Sequence, residues 1–266
     1  MKYLGLLTPS LFILFSNSGI AQIKNDIVER RLVKERPKLE QAPIREADLF
    51  WEKKVWQVID TRHKMNQVFM YPKAPLLETF KEAAEKGLID LFVDESFEVK
   101  IEDPNGIFSE VDTAYVFNPD TYKEQITVIT NDINYEDVKE FRLKEIWYFD
   151  EASSSMRVQI IGIAPIIAVN NDNGDFRYNK PLCWINYPQA REVLSRAPVF
   201  NPGNDNQVMT WDDVFQMRYF ASVISKKSNV LDARLQDLYT SGEERLLEAK
   251  KAEEEIFNFE QDLWSY

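Results

Sequence analysis

Two runs of β-branched and aromatic residues, facing each other across a short polar stretch, constrain this chain more than any other feature. Leu143-Lys-Glu-Ile-Trp-Tyr-Phe149 and Arg157-Val-Gln-Ile-Ile-Gly-Ile163 flank the polar segment 150–155. Such side chains suit the pleated, half-buried surface of a strand, and the polar segment supplies a turn, so residues 141–169 are expected to form a long antiparallel hairpin. Asn173-Gly174 is a second turn signal, leading to a strand near 182–185. An antiparallel meander follows from these signals. Shorter β-prone runs at 91–93, 97–101, 113–117 and 126–130 precede it, separated by Asp, Asn, Pro and Gly.

Helical patterns lie on both sides of the meander. Asp48 is placed to cap a helix running to about Asn66, with Leu49, Val55, Trp56 and Ile59 near one face. Leu76, Leu77, Phe80, Ala83, Ala84 and Leu88 recur at helical spacing, and Gly87 stands where that second helix would stop. Pro188 suits the first turn of a segment ending near Ala197. Thr210-Trp211-Asp212-Asp213 reads as a cap, Asp213 taking the place usually held by Glu or Gln, for a helix to about Ile224 with Val214, Phe215, Arg218 and Tyr219 on one face. From Gly242 the chain reads as a mostly exposed, charged helix. The fold class expected is α+β, an antiparallel meander flanked by helices.

The ends carry separate signals. Lys2, an apolar stretch from Leu4 to Phe15, and the small residues Gly19 and Ala21 have the pattern of a cleavable export signal over residues 1–21. The alternative, a membrane anchor, asks for roughly 20 continuous apolar residues, which this stretch does not reach. Residues 22–46 are polar and mildly basic, and are expected to form a flexible arm that either docks on an acidic neighbour or stays solvated. Residues 47–266 are expected to fold as a single domain.

The net charge of −12 opposes binding to nucleic acid and to anionic lipid, both of which depend on clustered Lys and Arg. Direct membrane insertion is not expected either. With Cys183 the only cysteine, the chain cannot form an internal disulfide, so packing must supply its stability.

Catalytic chemistry finds few residues to work with. His63, the only histidine, stands between cations in Asp60-Thr-Arg-His-Lys64 and is expected to be an exposed helix residue. Zinc sites normally need several His or Cys ligands, and a nucleophile usually needs a positioned base. Cys183, between Leu182 and Trp184, is expected to be a buried apolar residue rather than a thiolate. The 8 glycines form neither of the phosphate-cradling patterns. Around Gly174 the spacing puts Val169 and Lys180 at the liganding ends of a calcium loop, which fails the test and leaves a hairpin turn. Paired carboxylates of the glycosidase kind stay open as an enzyme alternative. No catalytic, metal or cofactor residue is assigned.

One set of fragments resembles a known family. Trp51-Glu-Lys-Lys-Val-Trp-Gln-Val-Ile-Asp-Thr-Arg-His-Lys-Met-Asn66 with Tyr71-Pro72 is similar to the opening of the GldN/PorN family. Glu145-Ile-Trp-Tyr-Phe-Asp150, Ile161-Gly-Ile-Ala-Pro165, Trp184-Ile-Asn-Tyr187, Arg218-Tyr-Phe220, Arg234-Leu235 and Phe259-Glu-Gln-Asp-Leu-Trp-Ser-Tyr266 continue it in order. The family commonly carries an acidic residue where His63 stands, which further weakens a catalytic role for the histidine.

This resemblance implies a soluble periplasmic subunit of the type IX secretion and gliding-motility machinery of Bacteroidetes. It implies a ring built with an outer-membrane lipoprotein, GldK/PorK, through which the subunit is associated with the outer membrane, and contact with the motor protein GldM/PorM. Neighbouring copies of the subunit would meet in the ring, and neither a cofactor nor a reaction is implied. The other readings are a free periplasmic ligand-binding protein and a carboxylate-dependent hydrolase.

Candidate partner-binding residues come from the carboxyl-terminal segment. Between Gly242 and Tyr266 eight acids face three bases, so its middle is not expected to enter a core. Phe257, Phe259, Trp264 and Tyr266 would together expose an apolar patch unless the body or a neighbour covered them.

Overall fold

The computed structural model describes residues 35–264, apart from 42, 119–122, 171–175 and 205. The export signal, most of the arm, the Asn173-Gly174 turn and Tyr266 lie outside the described residues.

The expected α+β class is the one observed, with strands and helices interleaved along the chain. The strands β1 (Leu49–Asp60), β2 (Leu91–Phe92), β3 (Ser109–Asn118), β4 (Lys123–Asp132), β5 (Val138–Asp150) and β6 (Ser155–Asn170) occupy its first two thirds. Then come β7 (Phe176–Pro181), β8 (Trp184–Asn186), β9 (Pro198–Val199), β10 (Met209–Thr210) and β11 (Val223–Lys227). The helices are α1 (Leu76–Glu85), α2 (Asn105–Phe108), α3 (Tyr187–Leu194), α4 (Trp211–Gln216), α5 (Leu235–Leu238) and α6 (Gly242–Trp264). One sheet runs β11-β1-β5-β6-β8-β2, with β7 also paired to β6, and β3-β4 and β9-β10 form separate ribbons.

The expected hairpin is β5-β6, with Leu143 opposite Ile163 and Phe149 opposite Met156. The helix expected from Asp48 to Asn66 is instead β1, a central strand between β5 and β11. Val55, Gln57 and Ile59 alternate with Trp56 and Val58, and at mid-strand Val55, Trp56, Gln57 and Ile59 are all buried. Burial on both faces removes the polar alternation by which a strand is recognised, while Val55 and Ile59, four apart, imitate a helical stripe. His63 accordingly lies just ahead of a 3-10 helix at Lys64–Met70, exposed.

The run 97–101 is not a strand; a single bridge joins Phe92 to Lys100. Phe97 takes φ +60°, which breaks the extended backbone, and its ring approaches β6 at Gly162. A Cβ on Gly162 would stand 2.5 Å from Phe97 Cζ, so the close approach requires glycine there. Trp56, Ala164 and Trp184 are buried around it.

The largest core lies where α1, α3 and α4 pack on the sheet. On α1, Leu76, Leu77, Phe80, Ala83 and Ala84 form the buried stripe. Gly87, at φ +67°, ends it as a Schellman turn: Gly87 N donates to Ala84 O at 3.0 Å and Leu88 N to Ala83 O at 2.9 Å. Phe69 is the hub of the core, its ring 5.5 Å from that of Phe141 and 5.1 Å from that of Trp211.

Asn186 caps α3 and accepts from Gln189 N, with Pro188 in the first turn. Thr210 and Asp213 form the expected capping box of α4. That helix stops at Gln216, well short of Ile224, because Arg218 turns the chain with φ +52°. Arg218 N and Tyr219 N then close a Schellman turn on Phe215 O and Val214 O. An arginine in the place usually held by glycine hides the stop from the sequence.

Candidate interaction surface

The expected binding residues all lie on or beyond α6, whose seat on the sheet determines what each can reach. Ala249, Ala252 and Ile256 are buried against Val55 and Ile224, with Trp51, Trp147, Met156 and Leu235 around them. This corrects the expectation that the middle of the segment stays out of a core. Positions 249, 252 and 256 share one helical face, and alanine there lets the backbone approach the sheet closely. Small residues make a weak hydrophobic signal in a Glu-rich and Lys-rich run, so the seam was missed. Full burial of an Ile side chain contributes about 1.5–3 kcal/mol, which identifies Ile256 as the strongest single anchor of the seam. Lys227 pairs with Glu255 beside it, and Met156 N donates to Glu260 Oε1 at 3.4 Å.

The four aromatic residues part company here. Phe259 stacks on Trp51 of β1, centroids 4.8 Å apart and planes 25° from parallel, so it belongs to the body of the protein. Phe257 points away and is 59% exposed. Trp264 closes the helix; its side chain, like Tyr266, lies outside what the structure describes. Near the end of α6, Leu263 borders a cavity of about 300 Å³ together with Phe50, Phe149, Glu151 and Ser154. Phe50 is 63% exposed there, its ring edge-on to Phe149 at 6.4 Å.

The described end of the expected arm is tied down. Arg36 donates to both oxygens of Asp213, at 2.7 and 3.0 Å, and Gln41 Nε2 to Gln216 Oε1 at 3.0 Å. Arg191 Nη2 donates to Leu39 O at 2.8 Å. Arg191 is itself buried and holds Asp212 through Nε and Nη2 at 3.1 and 3.2 Å. Tyr187 Oη donates to Asp212 Oδ1 at 2.7 Å, and burial, with the Asp212 charge next, drives the Tyr187 phenol well above its ordinary pKa. This network fixes α3 to α4 and presents a basic and an acidic contact to the arm.

The residues considered for catalysis stay apart. His63 is exposed on one loop, while Cys183 is 1% exposed, its thiol pushed up to about 12 by burial. A thiol so held is protonated at neutral pH. Among the described residues no group of three or more His, Cys, Asp or Glu is arranged to hold a metal ion.

The comparison with known families rests on the same body. A family profile described as "Gliding motility associated protein GldN" matches residues 44–265. The chain belongs to the GldN family. That span runs from just ahead of β1 to the end of α6, so the Trp51–Phe259 stack and the alanine seam both lie within the matched region. Membership associates this GldN-family chain with gliding motility and type IX secretion. A search of curated proteins finds no match. No helix among the described residues is long and apolar enough to cross a membrane.

Proposed function

We propose that this GldN-family chain is a structural subunit of a periplasmic ring of the type IX secretion system, acting by protein-protein binding without catalysis. In this reading it associates with the outer membrane through a GldK/PorK-type lipoprotein. It meets the periplasmic part of a GldM/PorM-type motor protein and neighbouring copies of itself, and it takes no cofactor. The observation that carries the reading is the family match over residues 44–265. Phe257, exposed on a helix that is itself anchored by Ile256 and Phe259, supports it: a large aromatic on a rigid element offers contact area at low entropic cost. Ring subunits need head-to-tail contacts between different patches of one chain, which α6 and the tethered arm at opposite ends of the sequence can provide. The domain is proposed to start near residue 47 and to include α6. Phe257 is proposed as the leading partner-binding residue, and Trp264 and Tyr266 as further ones.

Copurification of the exported chain with the lipoprotein and the motor protein, followed by crosslinking, tests this directly. Crosslinks from residues 242–266 to either partner are the expected result. Recovery of an isolated monomer at native expression levels would refute the ring reading.

A further inference from the structure

Among the described residues, the sheet carries a buried cation without an acceptor. Arg142 stands on β5 between Val58 of β1 and Ala164 of β6, and only 9% of it is exposed. Its Nε is buried with no hydrogen-bond partner, and its guanidinium enters no ion pair among the described residues. Burial, and after it the nearby charge of Arg234, hold its pKa below the ordinary guanidinium value, against the opposing charges of Glu95 and Glu140, neither of which bonds to it. A buried, unpaired charge is costly and is normally met by a partner. Among the described residues Arg142 has no such partner in hydrogen-bonding contact.

Arg142 opens into a groove of about 720 Å³ that is also lined by Arg62, Arg234 and Arg245. Arg62 is already satisfied, Nη2 donating to Asp60 Oδ2 at 2.6 Å. Glu140, also in the groove, is half-buried, 3.9 Å from Arg62, and accepts from Asn179 Nδ2 at 3.3 Å. Arg234, half-buried at the start of α5, and Arg245, in the first turn of α6, form no ion pair among the described residues. Three guanidiniums without an ion pair among the described residues thus converge on a groove whose lining includes one acid, Glu140, in a chain of net charge −12. The amino-terminal end of the 23-residue α6 adds to the same positive field.

The walls decide what kind of anion fits. Val58, Tyr178, Leu235 and Leu246 line the groove between the arginines, and Leu246 is 60% exposed. A free inorganic anion has no use for apolar walls. We propose that the groove receives an acidic segment of a partner polypeptide, one Asp or Glu carboxylate accepting from Arg142 while an adjacent apolar side chain covers Tyr178 and Leu246. A guanidinium fork matches a carboxylate with two parallel hydrogen bonds. The choice of a polypeptide rests on the protein-binding reading above; the site itself does not.

Calorimetric titration of the full exported chain, at constant ionic strength, tests the groove with two probes. These are a capped peptide of alternating Glu and Leu, and inorganic phosphate. The expected result is peptide binding that falls at least tenfold in Arg142→Met and at least threefold in Arg142→Lys, which keeps the charge but loses the fork. Lys86→Ala, remote from the groove, leaves it unchanged. Arg142→Met is also expected to melt no lower than the wild type, since it replaces an unpaired buried charge with apolar volume. Should that variant misfold, Arg234→Ala with Arg245→Ala on the rim must show the same tenfold loss. Equal peptide affinity in wild type and these variants, or no peptide binding at all, overturns the site. Phosphate binding as tight as the peptide overturns the polypeptide ligand. Peptide binding as expected, in a chain that forms no ring and captures neither partner, would count against the ring reading alone.

Discussion

Arg218 donates to the Glu145 carboxylate at 2.7 Å from a left-handed backbone, φ +52°, that residues other than glycine seldom hold. Glu145 is fully buried on β5, accepts a second bond from Trp147 Nε1 at 2.9 Å, and has Arg218 as its counter-charge. Arg218 also reaches Gln57 Oε1 at 3.2 Å, so one side chain joins the end of α4 to two central strands. The left-handed conformation costs roughly 1–2 kcal/mol, and an orphaned buried carboxylate roughly 3–5 kcal/mol. Arg218→Gly should therefore destabilise by about 1–4 kcal/mol despite relieving the backbone, and adding Glu145→Leu should recover most of the loss. Urea denaturation of both variants checks this.

The two phenylalanines of α6 should separate folding from binding. Phe259→Ala breaks the stack on Trp51 and is expected to lower Tm by about 2–4 °C, the shift for roughly 1 kcal/mol in a domain of this size. Phe257→Ala removes a mostly exposed side chain, so Tm should stay within about 1 °C. Partner affinity should instead fall about thirtyfold, as for the loss of an interface anchor of about 2 kcal/mol. Melting curves and partner titration on the same samples would show it, and the reverse pattern would place the interface elsewhere.

Acid should erase one small stabilising contact. The hydrogen bond from Arg62 holds the Asp60 carboxyl below its ordinary value of 3.8. A carboxylate with a depressed folded pKa contributes stability above the unfolded pKa and loses it as pH falls through the folded one. Arg62 is largely exposed, so the contribution is below about 1 kcal/mol. The stability gap between wild type and Arg62→Ala should be constant from pH 7 to pH 5 and close below about pH 4. Denaturation curves across that range check it.

Cys183 should report global unfolding. With the thiol 1% exposed and shifted to about 12, alkylation by iodoacetamide at pH 8 is expected to run about a hundredfold or more slower in the native protein than in urea. Mass spectrometry of timed samples gives the ratio. A comparable native rate would mean that β8 opens locally.

The sequence was most legible where local chemistry decides the outcome. The β5-β6 hairpin, the α1 stripe with Gly87, and the Thr210–Asp213 box each depend on residues close along the chain. It was least legible where distant segments decide. Val55 pairs with both Glu145 and Lys227, and neither neighbour leaves a mark on β1. Of the surface residues, Phe257 could be read as exposed from the charge around it, but Phe259 could not be assigned to the body without knowing that Trp51 lies on a strand beneath it. Arg142 showed no signal at all, because one arginine amid a hydrophobic strand reads the same whether or not an acid faces it.

The placement of β1 has a temporal side. One edge of this strand is open until residues 138–150 are available, and the other until residues 223–227 are. The α6 seam, formed against Val55 and Ile224, comes later still. A chain delivered from its amino terminus therefore cannot complete its central sheet until nearly all of it has emerged. Such long-range pairing slows folding, so the polypeptide stays pliable while most of its length is being delivered and sets only at the end.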